Sequence, residues 1–258
     1  MATLRLCIAG ATGWTGRALV DAVSVADDLE LRSAVSRSAA RGEIAGAPVH
    51  ASVAEALDDV DVVVDYTSHE VVKGNTLAAI GRGVAVVIGT SGLTAGDFAE
   101  IDAAARERGV GVIAAGNFSL TAAMMQAAAL LAARHLPSWE VIDYASAGKP
   151  DAPSGTSREL AERLGASRIE RPPAETAGAP EARGATIAGT QVHSLRLPTF
   201  TVSTEVIFAL PDERLSIRHD AGSSAVPYVA GTLLAARAAP TTVGLVRGLD
   251  TLLLQGRR

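Results

Sequence analysis

The sequence is short of the residues that staple or anchor a chain. Of 258 residues only Cys7 is a cysteine, so no internal disulfide can form, and a reducing compartment, the cytoplasm, is expected. Cys7 lies inside an apolar run, where a thiol acts as a small buried hydrophobe. The alanine-rich run 120–133 carries Gln126, ends at Arg134-His135 and falls short of the roughly 20 residues that a membrane helix needs. It reads as a buried helix, and no membrane partner is expected. Met1-Ala2-Thr3-Leu4-Arg5 lacks the charged leader and cleavable apolar segment of a secretion signal. Positive charge is not in excess: 23 Lys and Arg stand against 28 Asp and Glu, a net −5. That excludes a general attraction to nucleic acid or anionic membrane. The five histidines lack metal-ligand spacing, so no metal is implied. There is no G-x-S-x-G elbow of a serine hydrolase and no internal repeat.

What is present is apolar and periodic. Hydrophobic residues make up 48% and charged residues 20%, enough for a core in one large or two modest domains. Apolar strand-like runs at 4–9, 31–35, 60–65, 84–88 and 111–115 alternate with helical stretches at 14–25, 69–82 and 94–108. This alternation predicts a parallel sheet wrapped by helices. The pattern changes after a helix at 120–135. A strand at 141–144, a polar loop and a helix at 155–164 come next, followed by a Pro/Ala/Gly-rich loop at 171–184. Then come alternating stretches at 186–195, 201–208 and 214–219 that read as antiparallel strands with one wet face. A helix at 227–238 and another after Pro240 close the chain.

Gly10-Ala11-Thr12-Gly13-Trp14-Thr15-Gly16 follows the first strand and opens a helix, the context a dinucleotide-binding turn requires. Glycine lets the strand turn sharply and lets the backbone approach a pyrophosphate. It also lets the helix pack closely on the strand, with the helix N–H groups facing the phosphates. The second strand ends in Val35-Ser36-Arg37-Ser38, with Arg41 beyond. No acid stands there for a ribose 2′-hydroxyl, while Arg37 and the hydroxyls suit a 2′-phosphate, which favours NADPH over NADH.

Lys149-Pro150-Asp151-Ala152-Pro153-Ser154-Gly155-Thr156-Ser157-Arg158-Glu159 forms a second constellation. Thr156-x-x-Glu159 matches a capping box and predicts a helix start. The N–H groups around Gly155 and Thr156 would face an anion such as a substrate carboxylate, with Lys149 just upstream to neutralise charge or donate a proton.

The K-x-D-A-P-S-G-T stretch at 149–156 resembles the signature of the 4-hydroxy-tetrahydrodipicolinate (dihydrodipicolinate) reductase family. Asp65-Tyr66-Thr67-Ser68, Gly89-Thr90-Ser91-Gly92 and Ala115-Gly116-Asn117-Phe118-Ser119 are similar to further segments of that family, in the same order. So are 193–196, 205–208 and 214–219. The resemblance implies a Rossmann dinucleotide-binding domain from residues 1–119 and 222–258. It implies a central mixed α/β domain, 120–221, with an open, largely antiparallel sheet that binds a small carboxylated substrate and drives tetramer formation. It implies hydride delivery from NAD(P)H. Gly10, Thr12, Gly13, Trp14, Thr15 and Gly16 would line the pyrophosphate. Gly89, Thr90 and Ser91 would lie near the nicotinamide and its ribose, with Thr67, Asn117 and Phe118 alongside. Lys149, Ser154, Gly155 and Thr156 would hold the substrate, and Lys149 is the catalytic candidate.

One part of the pattern is missing. Four and three residues before the lysine the family usually carries a His-His pair, the first regarded as proton donor and the second as a substrate contact. Here these positions are Ala145 and Ser146. A positioned acid contributes about 10²–10⁴-fold when a proton moves in the transition state. Either another group supplies the proton (Lys149, Tyr144, a water on Ser146, His69 or His193), or the substrate is a different imine that needs only hydride. A non-catalytic dinucleotide-binding sensor is a third reading. Tyr144 adjoins Ala145 on a strand, so it should point to the opposite face.

Overall fold

Short valine- and isoleucine-rich runs that bury every residue are the framework of the first unit. A computed structural model describes residues 3–37, 42–166 and 177–255. Ser38, Arg41 and part of the expected 171–184 loop lie outside the described residues. The chain divides into residues 1–120 with 225–258, and residues 121–224.

In the first unit the order is β1 (Leu4–Ala9), α1 (Trp14–Val23), β2 (Leu29–Val35), β3 (Glu43–Ile44), β4 (Ala47–His50), β5 (Val62–Asp65), α2 (Val72–Gly81), β6 (Ala85–Ile88), α3 (Ala95–Arg108) and β7 (Gly111–Ala114). β5, β6 and β7 are buried at every position, as strands covered on both faces must be. Thr94 caps α3 in a capping box with Asp97, and left-handed Gly109 ends it.

The chain then enters the second unit with α4 (Leu120–Ala133), β8 (Trp139–Ala145), α5 (Gly155–Gly165), β9 (Ala185–Ile187), β10 (Thr190–Arg196), β11 (Val202–Leu210) and β12 (Glu213–Asp220). It returns to the first through α6 (Val226–Ala238), β13 (Gly244–Arg247) and α7 (Leu249–Gln255). None of the described helices is long and apolar enough to cross a membrane.

The first sheet has the order β13-β7-β6-β5-β1-β2-β4-β3, parallel throughout except for the β3–β4 pair. The order reverses between β1 and β5, and in such sheets ligands bind at the carboxyl ends of the strands flanking that point. Two elements depart from the sequence reading. The segment after Pro240, expected to be helical, first forms β13, because Gly244–Arg247 pairs with Gly111–Ala114 of β7. Four residues carry too little periodicity to announce such a strand. The β3–β4 hairpin is similarly short and was not expected.

The second sheet has the order β12-β11-β8-β10-β9. The stretch expected as one antiparallel strand at 186–195 breaks at Ala188-Gly189 into β9 and β10, and β10 runs parallel to β8. The reason is the connection: from β8 the chain passes through α5 into β9, which runs antiparallel to β10, and the turn at Ala188-Gly189 then restores the direction of β8. The remaining pairs are antiparallel. β8 alternates strictly. Trp139, Val141, Asp143 and Ala145 are buried, and Trp139 and Val141 share a core with Met125 and Ala129 of α4, Leu160 and Leu164 of α5, and Phe208 of β11. Fully burying side chains of this size stabilises by about 1.5–3 kcal/mol each. Glu140, Ile142 and Tyr144 occupy the other, half-exposed face.

Candidate active site

Two hubs, each a fully buried aspartate at the carboxyl end of a strand, organise the candidate residues. In the first unit the glycine turn leaves β1 under steric constraint. Gly10 has φ +84°, and a Cβ there would lie 2.2 Å from the Tyr66 carbonyl oxygen. A Cβ on Gly16 would lie 2.1 Å from the Gly10 carbonyl oxygen. Both positions therefore require glycine. The Gly10 and Ala11 N–H groups donate to the Val35 carbonyl and tie the turn to β2. α1 begins after Gly13 with no side-chain cap and no acid in its first turn. Its positive end is thus open to an anion, which fits the pyrophosphate of a dinucleotide. Thr12 shares a hydrogen bond with Ser36 across the ends of β1 and β2, at 2.9 Å. Thr15 is half-buried beside exposed Trp14, whose ring meets Tyr228 edge-on at 5.7 Å. Arg37 is exposed just beyond β2.

Asp65 ends β5 and is fully buried. Its Oδ1 accepts from the Thr67 N–H, the Thr67 hydroxyl (2.6 Å) and the Thr90 hydroxyl (2.7 Å). Its Oδ2 accepts from the Asn75 amide at 2.8 Å. The loops after β5 and β6 are therefore cross-linked through one carboxylate. Gly89 passes so close to the Tyr66 ring that a Cβ would lie 2.2 Å from it. The Tyr66 hydroxyl shares a hydrogen bond with Thr232 at 2.7 Å, and burial pushes its ionisation far up. Phe118 is 1% exposed and packs edge-on against Tyr66, so its ring supports the loops from behind. Asn117 accepts from the Ser119 N–H and closes the turn after β7. Ser91 and His69 are exposed, and His69 packs against Gly92. The cofactor candidates thus gather at the carboxyl ends of β1, β5, β6 and β7, with Arg37 at that of β2. Asn75 was not singled out from sequence, and Asp65 only as the first residue of the family-like segment 65–68, with no role of its own. The available signal was an acid closing the all-valine run Val62-Val63-Val64.

In the second unit Asp143 of β8 is also fully buried. It accepts from the Ser154 N–H and hydroxyl (2.6 Å), the Ser157 and Ser194 hydroxyls, and the Arg196 guanidinium at 2.8 Å. Burial pushes its carboxyl up, but the hydrogen bonds from Ser154, Arg196 and Ser157 outweigh this and hold it below its ordinary value. Ser154, not Thr156, is the N-cap of α5, accepting from the Ser157 N–H. The capping box expected at Thr156-x-x-Glu159 is therefore corrected: Asp143 anchors the helix start two residues earlier, and Thr156 and Glu159 lie inside it. Upstream, the Lys149 N–H donates to the Ser146 carbonyl, and its Nζ pairs with Asp151 at 2.7 Å. Lys149, Ser154, Gly155 and Thr156 are thus carried by one braced loop and helix start.

Around the missing histidine pair, Ala145 is fully buried and Ser146 half-buried. Tyr144 lies on the opposite sheet face, donating to Glu205 at 3.0 Å, with Arg218 4.7 Å above its ring. His193 lies on that face too, 2.7 Å from Glu140. Burial raises the Glu140 carboxyl, and hydrogen bonds from His193 and Arg183 more than reverse this. His219 meets Thr121 at 3.1 Å, and burial lowers its pKa. Strand register therefore turns Tyr144 and His193 away from Asp143 and the Lys149 loop.

The profile described as dihydrodipicolinate reductase, N-terminus, matches residues 4–118, and its C-terminus counterpart matches 117–253. The 4-hydroxy-tetrahydrodipicolinate reductase of Moorella thermoacetica is 36% identical, covering 98% of this chain and 99% of the relative. That of Streptococcus suis is 34% identical, covering 97% and 100%. Among solved structures, a dipicolinate-bound dihydrodipicolinate reductase from Paenisporosarcina sp. TG-14 superposes with a TM-score of 0.76 at 26% identity, covering 97% of this chain and 99% of that one. GenD2 from gentamicin A biosynthesis, in complex with NAD, superposes with a TM-score of 0.65 at 16% identity, covering 97% and 90%, a likeness of fold.

Proposed function

The chain belongs to the dihydrodipicolinate reductase family, and from that premise we propose that it transfers hydride from NADPH to a small carboxylated cyclic imine, 4-hydroxy-tetrahydrodipicolinate. The observation that carries this reading is the Lys149–Thr156 loop, whose family signature is braced on buried Asp143 at the start of α5. When bound, the nicotinamide supplies the hydride. Gly10, Gly13 and the uncapped start of α1 receive the pyrophosphate, with Thr12, Trp14, Thr15 and Gly16 shaping that turn. Thr67, Gly89, Thr90, Ser91, Asn117 and Phe118 frame the nicotinamide end. Arg37 faces the 2′-phosphate of NADPH, since no acid replaces it at the end of β2. Lys149 holds the substrate carboxylate with Ser154, Gly155 and Thr156, and offers an ammonium proton at Nζ.

A second reading, reduction of a different imine, is favoured by Ala145 and Ser146 together with the outward register of Tyr144 and His193. A protonated imine needs only hydride, and a pocket for it can dispense with a histidine acid. The half-exposed sheet face bearing Ile142, Tyr144 and Leu195 supports association of copies, and a homotetramer is the expected state.

Purified protein given NADPH and freshly generated 4-hydroxy-tetrahydrodipicolinate should lose absorbance at 340 nm. Turnover confined to simpler cyclic imines would select the second reading. Cofactor binding without turnover on any imine would refute both and indicate a sensor. Lys149→Ala should lower kcat/KM by about 100-fold or more, the scale of losing a positioned charge or acid. Activity kept within a few fold would refute the site assignment.

A further inference from the structure

Arg196 ends β10 with its guanidinium between two parts of the second unit. Its Nη2 donates to the Asp143 carboxylate at 2.8 Å and to the Asp151 backbone carbonyl at 2.6 Å. Asp143 lies beneath the start of α5, where it accepts from the Ser154 N–H and hydroxyl. Asp151 lies in the middle of the loop and pairs with Lys149. A continuous chain of contacts therefore runs from the helix start through Asp143 and Arg196 to the backbone that carries Lys149. The arrangement also poses an electrostatic problem. A buried carboxylate at the positive end of α5 competes with any anion brought to that end. Arg196, with a side chain 17% exposed, is the cation that offsets it.

We propose that Arg196 is a positioning residue for substrate: it neutralises Asp143 so that the start of α5 keeps its attraction for a carboxylate, and it grips the Asp151 carbonyl so that Lys149 is held in place. This rests on the assignment of that loop to the substrate carboxylate. The other charged groups around Asp143 are engaged elsewhere. Lys149 pairs with Asp151, and Glu140 pairs with His193 and Arg183 on the opposite sheet face. Tyr144, Glu205, Arg218 and Asp220 cluster on that face as well. On α5, Arg163 donates to Gln126 of α4, and Glu159 is a second buried carboxylate, further along the helix. Arg196 is thus the partner that sets the net charge at Asp143.

The test uses dipicolinate as probe, titrated calorimetrically into NADPH-saturated protein at pH 8 and pH 5.5. Arg196→Met should weaken binding at pH 8 by roughly tenfold or more, the scale of an uncompensated nearby charge. The deficit should be smaller at pH 5.5, because without Arg196 burial pushes the Asp143 carboxyl up and it is protonated more readily there than at pH 8. Asp143→Asn with Arg196→Met restores neutrality and should recover most of the lost affinity, the remaining deficit reporting the lost grip on the Asp151 carbonyl. Asp143→Asn alone should bind dipicolinate at pH 8 at least as tightly as wild type, which keeps the test decisive if Arg196→Met does not fold. A deficit equal at both pH values, no recovery in the double variant, or weaker binding by Asp143→Asn would overturn the inference. If wild type binds dipicolinate and Arg196→Met binds it equally well, this inference alone falls. If wild type neither binds dipicolinate nor oxidises NADPH with any imine, the assignment of the loop falls and takes the inference with it.

Discussion

Asp65→Asn is the most revealing single perturbation of the cofactor side. The replacement keeps the shape and leaves one oxygen to accept from Thr67 and Thr90. It turns the other oxygen into an amide donor facing the Asn75 amide, from which Asp65 now accepts at 2.8 Å. One hydrogen bond to a charged acceptor is lost, about 1.5–3 kcal/mol. The three that remain fall from charge-assisted to neutral strength, roughly a halving. Together these give a total of about 4–7 kcal/mol, a large share of a typical stability of about 5–15 kcal/mol. For a folding unit of this size that is a fall in Tm of about 8–28 °C, at 2–4 °C per kcal/mol. Because both loops hang on this carboxylate, the NADPH Kd, read from nicotinamide fluorescence, should weaken in parallel. Adding Asn75→Ala to Asp65→Asn should cost little more, since their bond is already gone. A Tm within about 1 °C of wild type, with NADPH affinity unchanged, would refute the reasoning, because the bonds would then contribute nothing net.

Three further outcomes follow from the same geometry. Arg37→Ala should weaken NADPH by about tenfold or more while leaving NADH nearly unchanged, as loss of a charge-assisted phosphate contact requires. Equal losses would remove the case for a 2′-phosphate site. Gly16→Ala places a Cβ 2.1 Å from the Gly10 carbonyl oxygen, so the turn must shift. Dinucleotide binding, followed by equilibrium dialysis, should be lost even though alanine is the better helix former by about 1 kcal/mol. Asp143, held below its ordinary value, contributes stability that is complete above the unfolded carboxylate pKa of about 3.9 and is lost as pH falls through the folded value. The urea midpoint of wild type should therefore fall more steeply below about pH 4 than that of Asp143→Asn. Parallel curves would show that Asp143 gains nothing from its partners.

Legibility in the sequence followed the range of the interaction. The Gly10–Gly16 turn, the buried valine strands and the alternation of β8 are consequences of local sterics and of which faces are covered, so they can be read residue by residue. Tyr144 was expected on the face away from Ala145 for that reason, and it lies there. The Lys149–Thr156 stretch was legible as a motif, but its cap was misplaced. The Thr156-x-x-Glu159 pattern satisfies the capping rule, while the buried acceptor that decides where α5 begins is Asp143, 11 residues upstream. β13 was invisible because its partner strand lies more than 100 residues away. The parallel pairing of β10 was missed because alternation reports burial and not strand direction.

By itself the sequence determined the glycine-rich turn after β1, the two-part alternation of elements, the absence of an acid at the end of β2 and the family signature around Lys149. These depend on residue type and near neighbours. Tertiary structure alone decided that Asp65 joins the loops of Thr67 and Thr90, that Arg196, 53 residues from Asp143, completes the brace beneath α5, and that His193 faces away from it. A carboxylate's partners and a strand's register are set by which segments pack together, and burial makes those pairings obligatory, since an unpaired charge inside a protein is strongly destabilising.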